Sequence, residues 1–248
     1  MKKLLALIMA LATLVCCFAG CGSKDTLVVG ITDFAPMDYK EDGEWVGFDA
    51  DMAKAFAEEL GMEVEFVEID WDNKALELDS GTIDCVWNGM TLTDEVKAAM
   101  DTSNAYCNNA QVVIVKKDVA DKYKDAEACK DLKFAVEAGS AGEAQAKEYG
   151  FSATPVKDQA TALMEVAAGT SDAAIIDSLM AAAMVGEGTG YEDLTYTAKL
   201  NSEEYGVGFK KGSDLTKKLN EFFKKAYDDG SMLEIAEKYG VQAAIIAQ

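Results

Sequence analysis

The side chains available for chemistry in this chain are carboxylates, lysine amines, thiols and hydroxyls, because its 248 residues include no histidine and no arginine. Without imidazole there is no Ser-His-Asp or Cys-His pair and no histidine-ligated metal. Without guanidinium there is no two-pronged clamp for a carboxylate or phosphate. Acid–base catalysis would depend on carboxylates alone, so the residue types favour binding over enzymatic activity.

The charge balance excludes a further class of partner. The chain carries 44 acidic residues against 23 lysines, a net charge of −21. Nucleic acids are bound by neutralising phosphates with basic side chains, so a chain this acidic is not expected to bind them. Its 50% hydrophobic content and two prolines are typical of a folded globular protein.

The cysteines beyond the N-terminal segment do not form a recognisable site. Cys85, Cys107 and Cys129 are odd in number and contain no CxxC pair, so their spacing does not fit a zinc site. A disulfide between two of them stays open, but buried free thiols are the favoured interpretation. We therefore expect no metal and no cofactor.

One acidic segment approaches the spacing of a calcium loop. Asp38, Asp42 and Asp49 are placed near EF-hand positions, but Lys40 stands where a ligand is required. Asp-Gly at 42–43 is instead a strong signal for a β-hairpin turn, which we predict here.

The N-terminal segment has the features of an export signal. Two lysines precede an apolar run over residues 4–18, which is too short for a comfortable membrane span, and small residues lead to Cys21. The ending resembles a bacterial lipobox, in which the cysteine becomes the lipidated first residue. We predict a signal peptide at 1–20, a tether at 21–25 and an extracytoplasmic protein anchored by lipid on Cys21 to the bacterial cell membrane.

The elements that must position any site alternate between strand and helix. Short β-rich runs at 27–31, 64–69 and 83–87 are separated by a helical repeat at 48–60, ending before Gly61, and by a helical stretch at 72–78. The alternation recurs at 111–115, 132–136, 160–168 and 173–176. This order predicts an α/β fold with largely parallel sheets.

The order of motifs resembles the bacterial extracellular solute-binding proteins of family 3, the receptors of ABC importers for polar amino acids. The resemblance covers residues 26–239. It is carried by DFAPMDY at 33–39, GFDADMAKAFAEELG at 47–61, DWDN at 70–73, SGTIDCVWNGMTLT at 80–93, VEAGSAG at 136–142, YGVGFKKGSDL at 205–215 and DGSMLEIAEKYG at 229–240.

The resemblance implies a two-lobed fold of the periplasmic-binding-protein type (type II), with two crossing strands and a ligand cleft between the lobes. The expected crossings lie near 111–117 and 203–209. Lobe 1 would comprise residues 26–113 and 207–248, and lobe 2 residues 114–206. A ligand that touches both lobes would favour the closed form, so hinge closure is the expected mechanism.

The resemblance also places the ligand contacts, position by position. It implies a side-chain contact at Asp33, aromatic walls at Phe34 and Trp71, a loop that holds the polar head at Asn88, Gly89 and Thr91, an anion-receiving helix N-terminus at Ser140, and an ammonium partner at Asp177. The alternatives are a turn for Asp33, a core position for Phe34 and a helix cap for Asp177.

One position departs from the family pattern. Val96 stands where family members carry the arginine that grips the ligand's carboxylate, and the neighbouring Lys97 should point elsewhere on the helix. The carboxylate could be held by backbone amides and a lysine from elsewhere. Alternatively, carboxylate recognition is lost, and the pocket binds a cationic amine or a neutral polar solute. In that case Asp33, Asp177 and Glu137 form an acidic pocket, and Tyr39 or Tyr106 adds a further aromatic wall.

The expected function is therefore the substrate-binding component of an ABC importer, a monomer that captures an amino acid or related amino compound and delivers it to membrane subunits. A second function comes from the few relatives on this fold that are dehydratases of cyclohexadienyl acids. The carboxylates of such acids would also lack an arginine to bind them, so we do not expect this protein to be an enzyme.

Overall fold

The computed structural model describes residues 25–248. The predicted signal peptide, the lipidation site Cys21 and most of the tether lie outside the described residues. Within residues 25–248, no helix is long and apolar enough to cross a membrane.

The strands and helices alternate along the chain, as the sequence predicts. The strands are β1 (Thr26–Ile31), β2 (Tyr39–Glu41), β3 (Glu44–Val46), β4 (Glu63–Glu68), β5 (Cys85–Thr91), β6 (Asp101–Thr102), β7 (Cys107–Asn109), β8 (Gln111–Lys116), β9 (Lys133–Glu137), β10 (Ser152–Val156), β11 (Ala173–Asp177), β12 (Leu194–Lys199) and β13 (Glu203–Phe209). The helices are α1 (Phe48–Leu60), α2 (Lys74–Ser80), α3 (Asp94–Ala99), α4 (Ala141–Tyr149), α5 (Gln159–Ala168), α6 (Ser178–Met184), α7 (Leu215–Asp228) and α8 (Ser231–Lys238).

Two separate sheets form the cores of two lobes. The first sheet has the order β4-β1-β5-β13-β6, with β7 also paired to β13, and the second has the order β10-β9-β11-β8-β12. In each sheet three neighbouring strands are parallel and the remaining pairings are antiparallel. Parallel strands bring their carboxyl ends to one edge, where α/β proteins bind ligands.

The first helix shows how the sequence determines its limits. In α1 the side chains of Phe48, Met52 and Phe56 are buried against the first sheet, at the spacing of one helical face. Gly61 ends the helix in the left-handed conformation, with φ 70°, and its N–H bonds to helix carbonyls.

The predicted hairpin at Asp42–Gly43 is confirmed. Strands β2 and β3 pair antiparallel, and both turn residues have positive φ, 52° at Asp42 and 88° at Gly43. This geometry is that of a two-residue hairpin turn. The segment that resembled a calcium loop is therefore a hairpin.

The chain crosses between the sheets twice. Strand β8 pairs only within the second sheet and β13 only within the first, so the crossings fall at residues 109–111 and 199–203. The predicted lobe boundaries at 113/114 and 206/207 instead cut through these two strands. Sequence identified the strands but not the sheet with which each one pairs.

The three cysteines within the described residues contribute to packing. Cys85, Cys107 and Cys129 are buried and free, as favoured from the sequence. Trp87, on β5, is also buried and packs edge-on against Phe223 of α7. Cys85, Cys107 and Trp87 belong to one hydrophobic cluster, and Cys129 belongs to another in the second lobe.

Candidate functional site

A cleft of about 610 Å³ lies between the two lobes. Its lining comes mainly from segments that follow the carboxyl ends of β1, β4, β5, β9 and β11. Both sheets therefore point their ligand-binding edges into the same space. This volume suits a small organic molecule.

The lobes touch each other across this cleft. The Lys74 ammonium donates to the Gly139 carbonyl at 2.9 Å, and Lys157 forms an ion pair with Glu68 at 2.6 Å. Gly139, with φ 69°, packs so closely on Asp72 that a Cβ placed there would lie 2.7 Å from the Asp72 Cα. The structure is therefore a closed arrangement of the two lobes.

The two predicted aromatic walls both line the cleft. Phe34 is 2% exposed and packs edge-on against Tyr205, so it is at once a core residue and a wall. Trp71 is also buried, and the Lys74 ammonium lies 4.8 Å from the centre of its ring. This distance is within cation–π range.

The loop at the end of β5 lines the cleft, but its polar groups are occupied by the protein. The Asn88 side chain bonds to Thr32 and Asp38, and the Gly89 N–H donates to Asp49 at 2.7 Å. The Thr91 hydroxyl donates to Glu203 at 3.0 Å. Gly89 has φ 55°, and a Cβ there would overlap the Phe34 ring. The loop is thus rigidly held, and the Gly89 amide is not free for a carboxylate.

Asp38 and Asp49 are the buried carboxylates that hold this loop from behind. Burial raises the pKa of both, and each lies near the other. Asp49 also accepts a hydrogen bond from the Tyr106 hydroxyl at 2.7 Å. Tyr106 is fully buried and does not line the cleft. The alternative in which Tyr106 forms an aromatic wall of an acidic pocket is therefore wrong.

The helix N-terminus at Ser140 also lines the cleft and already carries a carboxylate. The Ser140 hydroxyl accepts from the Glu143 N–H at 3.1 Å, and the Glu143 carboxylate accepts from the Gly139 N–H at 2.7 Å. This is close to a capping box, and the Ser-x-x-Glu spacing is the sequence signal for it. An anionic ligand at this turn would have to compete with Glu143.

Asp177 ends β11 at the point where the crossing segments meet. Its carboxylate accepts hydrogen bonds from Asn109, from Gln111 at 3.0 Å, from Tyr205 at 2.6 Å and from Gln159. Burial raises its pKa and the nearby Glu203 raises it further, while these donors lower it. The side chain makes no cap to α6, so the capping alternative is wrong.

Asp33 is the predicted contact that the structure does not bring into the cleft. It is exposed beside the lining, and its pKa is raised by partial burial and by Asp158 and Glu68. Tyr39 likewise does not line the cleft and instead packs edge-on against Tyr239. The remaining seven predicted contacts all reach the cleft.

Val96 lines the cleft from α3 and is buried in an apolar cluster with Met90 and Met100. Lys97 is exposed and is not part of the lining, as expected from its position on the helix. The position at which the resemblance implies an arginine therefore lines the cleft and is apolar in this chain.

Of the seven charged residues that line the cleft, only Asp177 was a predicted ligand contact, and Lys74 and Glu137 are two of the six that were not. Lys74 comes from α2 in the first lobe, and Glu137, considered only for an acidic pocket, ends β9 in the second. The sequence predicted that a lysine from elsewhere could hold the carboxylate, but it offered no way to choose among the 23 lysines. For metals, residues 25–248 contain no group of three or more acidic or thiol side chains arranged to hold an ion.

Comparison with known proteins identifies the family. The model of the bacterial extracellular solute-binding proteins, family 3, matches residues 27–242. The arginine-binding extracellular protein ArtP of Bacillus subtilis (strain 168) is 31% identical, with 96% of this chain and 98% of that protein covered. The L-cystine-binding protein TcyJ of Escherichia coli (strain K12) is 29% identical, with 87% and 83% covered.

Solved structures agree with the two-lobed architecture. An ancestral arginine-binding protein bound to arginine has a TM-score of 0.81 and 34% identity, covering 88% of this chain and 99% of its own. A substrate-binding protein of an ABC uptake transporter from Streptococcus pneumoniae, with bound histidine, has a TM-score of 0.81 and 32% identity, covering 88% and 94%. The predicted type II fold is confirmed, and the chain belongs to family 3 of the bacterial extracellular solute-binding proteins.

Proposed function

We propose that this protein captures an amino acid outside the cytoplasm and presents it to the membrane subunits of an ABC importer. The observation that carries the proposal is the cleft at the carboxyl ends of both sheets, closed by contacts from both lobes. A ligand held by both lobes stabilises the closed form, which is the form a transporter can distinguish from the empty receptor. Relatives that bind arginine, cystine and histidine support this class of ligand.

The charges of the cleft favour a ligand that carries a positive group. The charged lining residues are Asp72, Glu95, Glu137, Glu143 and Asp177 against Lys74 and Lys147. An excess of carboxylates attracts cations and raises the cost of binding an anion. A cationic amino acid is therefore the first candidate, and a cationic amine without a carboxylate is the second.

An enzymatic role is the weaker candidate. One similar structure is an ancestral amino acid-binding protein described as a precursor of cyclohexadienyl dehydratase, with a TM-score of 0.79 and 36% identity. The sequence offers no imidazole, and Asp177, the most buried acid of the hinge, is already engaged by four donors. A binding protein retains its ligand stoichiometrically, whereas an enzyme converts it, and NMR of a bound cyclohexadienyl acid distinguishes the two.

The anchor is a separate part of the proposal. Lipid on Cys21 would hold the receptor at the membrane while residues 21–25 act as a tether. Mass spectrometry of the mature N-terminus, with C21S as the control, tests this proposal. An unmodified N-terminus in the wild type would contradict it.

The central experiment is a thermal-shift screen of the purified protein against the twenty amino acids, cystine, ornithine and their decarboxylated amines. A ligand that binds only the folded protein raises its unfolding midpoint, by an amount that grows with the ratio of ligand concentration to Kd. We expect at least one amino acid to raise the midpoint by several degrees and to bind at one site by calorimetry. A screen in which no amino acid binds would reject the proposed function.

A further inference from the structure

Lys74 is a partly buried cation whose counter-ion the protein does not supply. Its ammonium donates to the carbonyls of Trp71 at 3.1 Å and Gly139 at 2.9 Å, which uses two of its three N–H groups. No carboxylate oxygen of residues 25–248 lies within 4.0 Å of it. Burial lowers its pKa, and the charge of Glu137 is the first influence that opposes this.

Glu137 is the complementary case on the other lobe. It is 3% exposed, its Oε1 accepts no hydrogen bond from the described residues, and no described lysine lies within 4.0 Å. Burial, together with the charges of Asp177 and Asp158, raises its pKa to about 8, against a lowering by Lys74 and by the Gln159 side chain. Within residues 25–248, folding thus leaves one oxygen of this carboxyl group without a hydrogen-bond donor and the group without an ion-pair partner.

Charged side chains are rarely buried unless they are paired, because the loss of hydration is costly. These two line one cleft, come from opposite lobes and have opposite charges when both are ionised, a state that a cationic group beside Glu137 would favour. We propose that Lys74 binds the anionic group of the ligand and Glu137 its cationic group, so that a zwitterion completes one ion pair with each lobe. This inference rests on the proposed function and specifies how its ligand is selected.

The neighbouring groups support this assignment. Val96 removes the family's anion-binding side chain from α3, and the amides of Gly89 and Gly139 are already bonded to carboxylates. Lys74 is then the cleft's cation with a free donor closest to the Trp71 wall. Lys74 also donates to the Gly139 carbonyl of the second lobe. An anion bound to Lys74 would therefore lie where the two closed lobes meet.

The test uses the amino acid that gives the largest shift in the screen and its primary amide, which lacks the carboxylate charge. Calorimetry compares wild type with K74M and E137Q. K97M and E148Q are the matched controls, because Lys97 and Glu148 are exposed and outside the cleft lining. Circular dichroism verifies folding, and K74Q replaces K74M if the latter does not fold.

We expect K74M to weaken the amino acid at least thirtyfold and the amide less than threefold, and E137Q to weaken both at least tenfold. The controls should stay within threefold of wild type. Equal losses for amino acid and amide in K74M, no loss in either variant, or wild type binding the amide as tightly as the amino acid would overturn the inference. These results differ from a screen without any amino-acid ligand, which rejects the proposed function itself.

Discussion

Asp177 and Glu137 end neighbouring parallel strands of the second sheet, and both are buried at the cleft. Asp177 is surrounded by amide and hydroxyl donors from the crossing segments and from α5. Glu137 has an oxygen without any donor. The comparison shows that burial alone does not identify a ligand-binding acid. We therefore prefer the acid that folding leaves incomplete as the candidate, whereas Asp177 is engaged by residues of the crossing segments and α5.

The largest effect on stability is expected from substitution of Asp177, whose hydrogen bonds are complete. D177N keeps the size of the side chain but replaces an acceptor oxygen with a donor among convergent donors. We expect the free energy of unfolding at pH 8 to fall by about 2–3 kcal/mol, the cost of leaving buried polar groups unpaired. Urea titration measures it, with D121N as an exposed control. Stability equal to wild type would show that the hinge network does not depend on this carboxylate.

Substitution of Glu137, whose carboxyl group is not fully hydrogen-bonded, should raise the stability rather than lower it. Glu137 in the folded protein has a pKa of about 8, above its ordinary 4.5, so the folded state retains a proton that the unfolded chain loses. Its contribution to stability therefore falls as pH rises from about 4.5 to 8. We expect E137Q and wild type to be nearly equally stable near pH 4.5, and E137Q to be more stable by at least about 2 kcal/mol near pH 8.5. A difference that does not change with pH would contradict this.

The closed arrangement can be broken without altering any charge. Gly139 and Gly150 have similar φ values, 69° and 71°, but only at Gly139 would an added Cβ meet the other lobe. An alanine at either position should lower the free energy of unfolding by about 1 kcal/mol, because a positive φ strains a residue with a Cβ. We expect G139A alone to weaken ligand binding, roughly tenfold or 1.4 kcal/mol, measured by calorimetry. Equal affinities for the two variants would show that this contact is not required for closure.

The smallest effect is expected at the rim. Lys157 and Glu68 also join the lobes, but both side chains are more than one-third exposed, at 57% and 37%. Exposed ion pairs contribute little and are screened by salt. K157M should change the affinity less than about threefold, equivalent to roughly 0.6 kcal/mol, and the difference should vanish in high salt. A larger, salt-independent loss would mean that the rim, rather than the cleft, controls closure.

Much of this structure could be predicted from periodicity and turn chemistry. The helix after Phe48, the hairpin at Asp42–Gly43 and the strands ending at Ile31 and Asp177 all follow local rules. Strand β12 was missed because Tyr196 and its threonine neighbours on an edge strand give no clear apolar alternation. Local patterns do not reveal pairing partners.

The site was predictable in location and less so in roles. Family motifs brought Phe34, Trp71 and Ser140 to the cleft, because strand ends meet there. The roles of Lys74 and Asp177 depend on which donors and acceptors remain free after folding: among the described residues Lys74 keeps a free N–H group, whereas Asp177 already accepts four hydrogen bonds. That count needs coordinates, since the partners of Asp177 come from segments up to 68 residues away in sequence.

The double crossing of the chain has a consequence for synthesis and export. The second lobe is built from one continuous stretch, whereas the first sheet receives β13 only after that stretch has been made. Strand β13 is the pairing partner of β5, β6 and β7. The lobe that comes first in sequence is therefore the last to be completed, and an emerging chain must keep the open edge of β5 from pairing with other chains until its own C-terminal segment arrives.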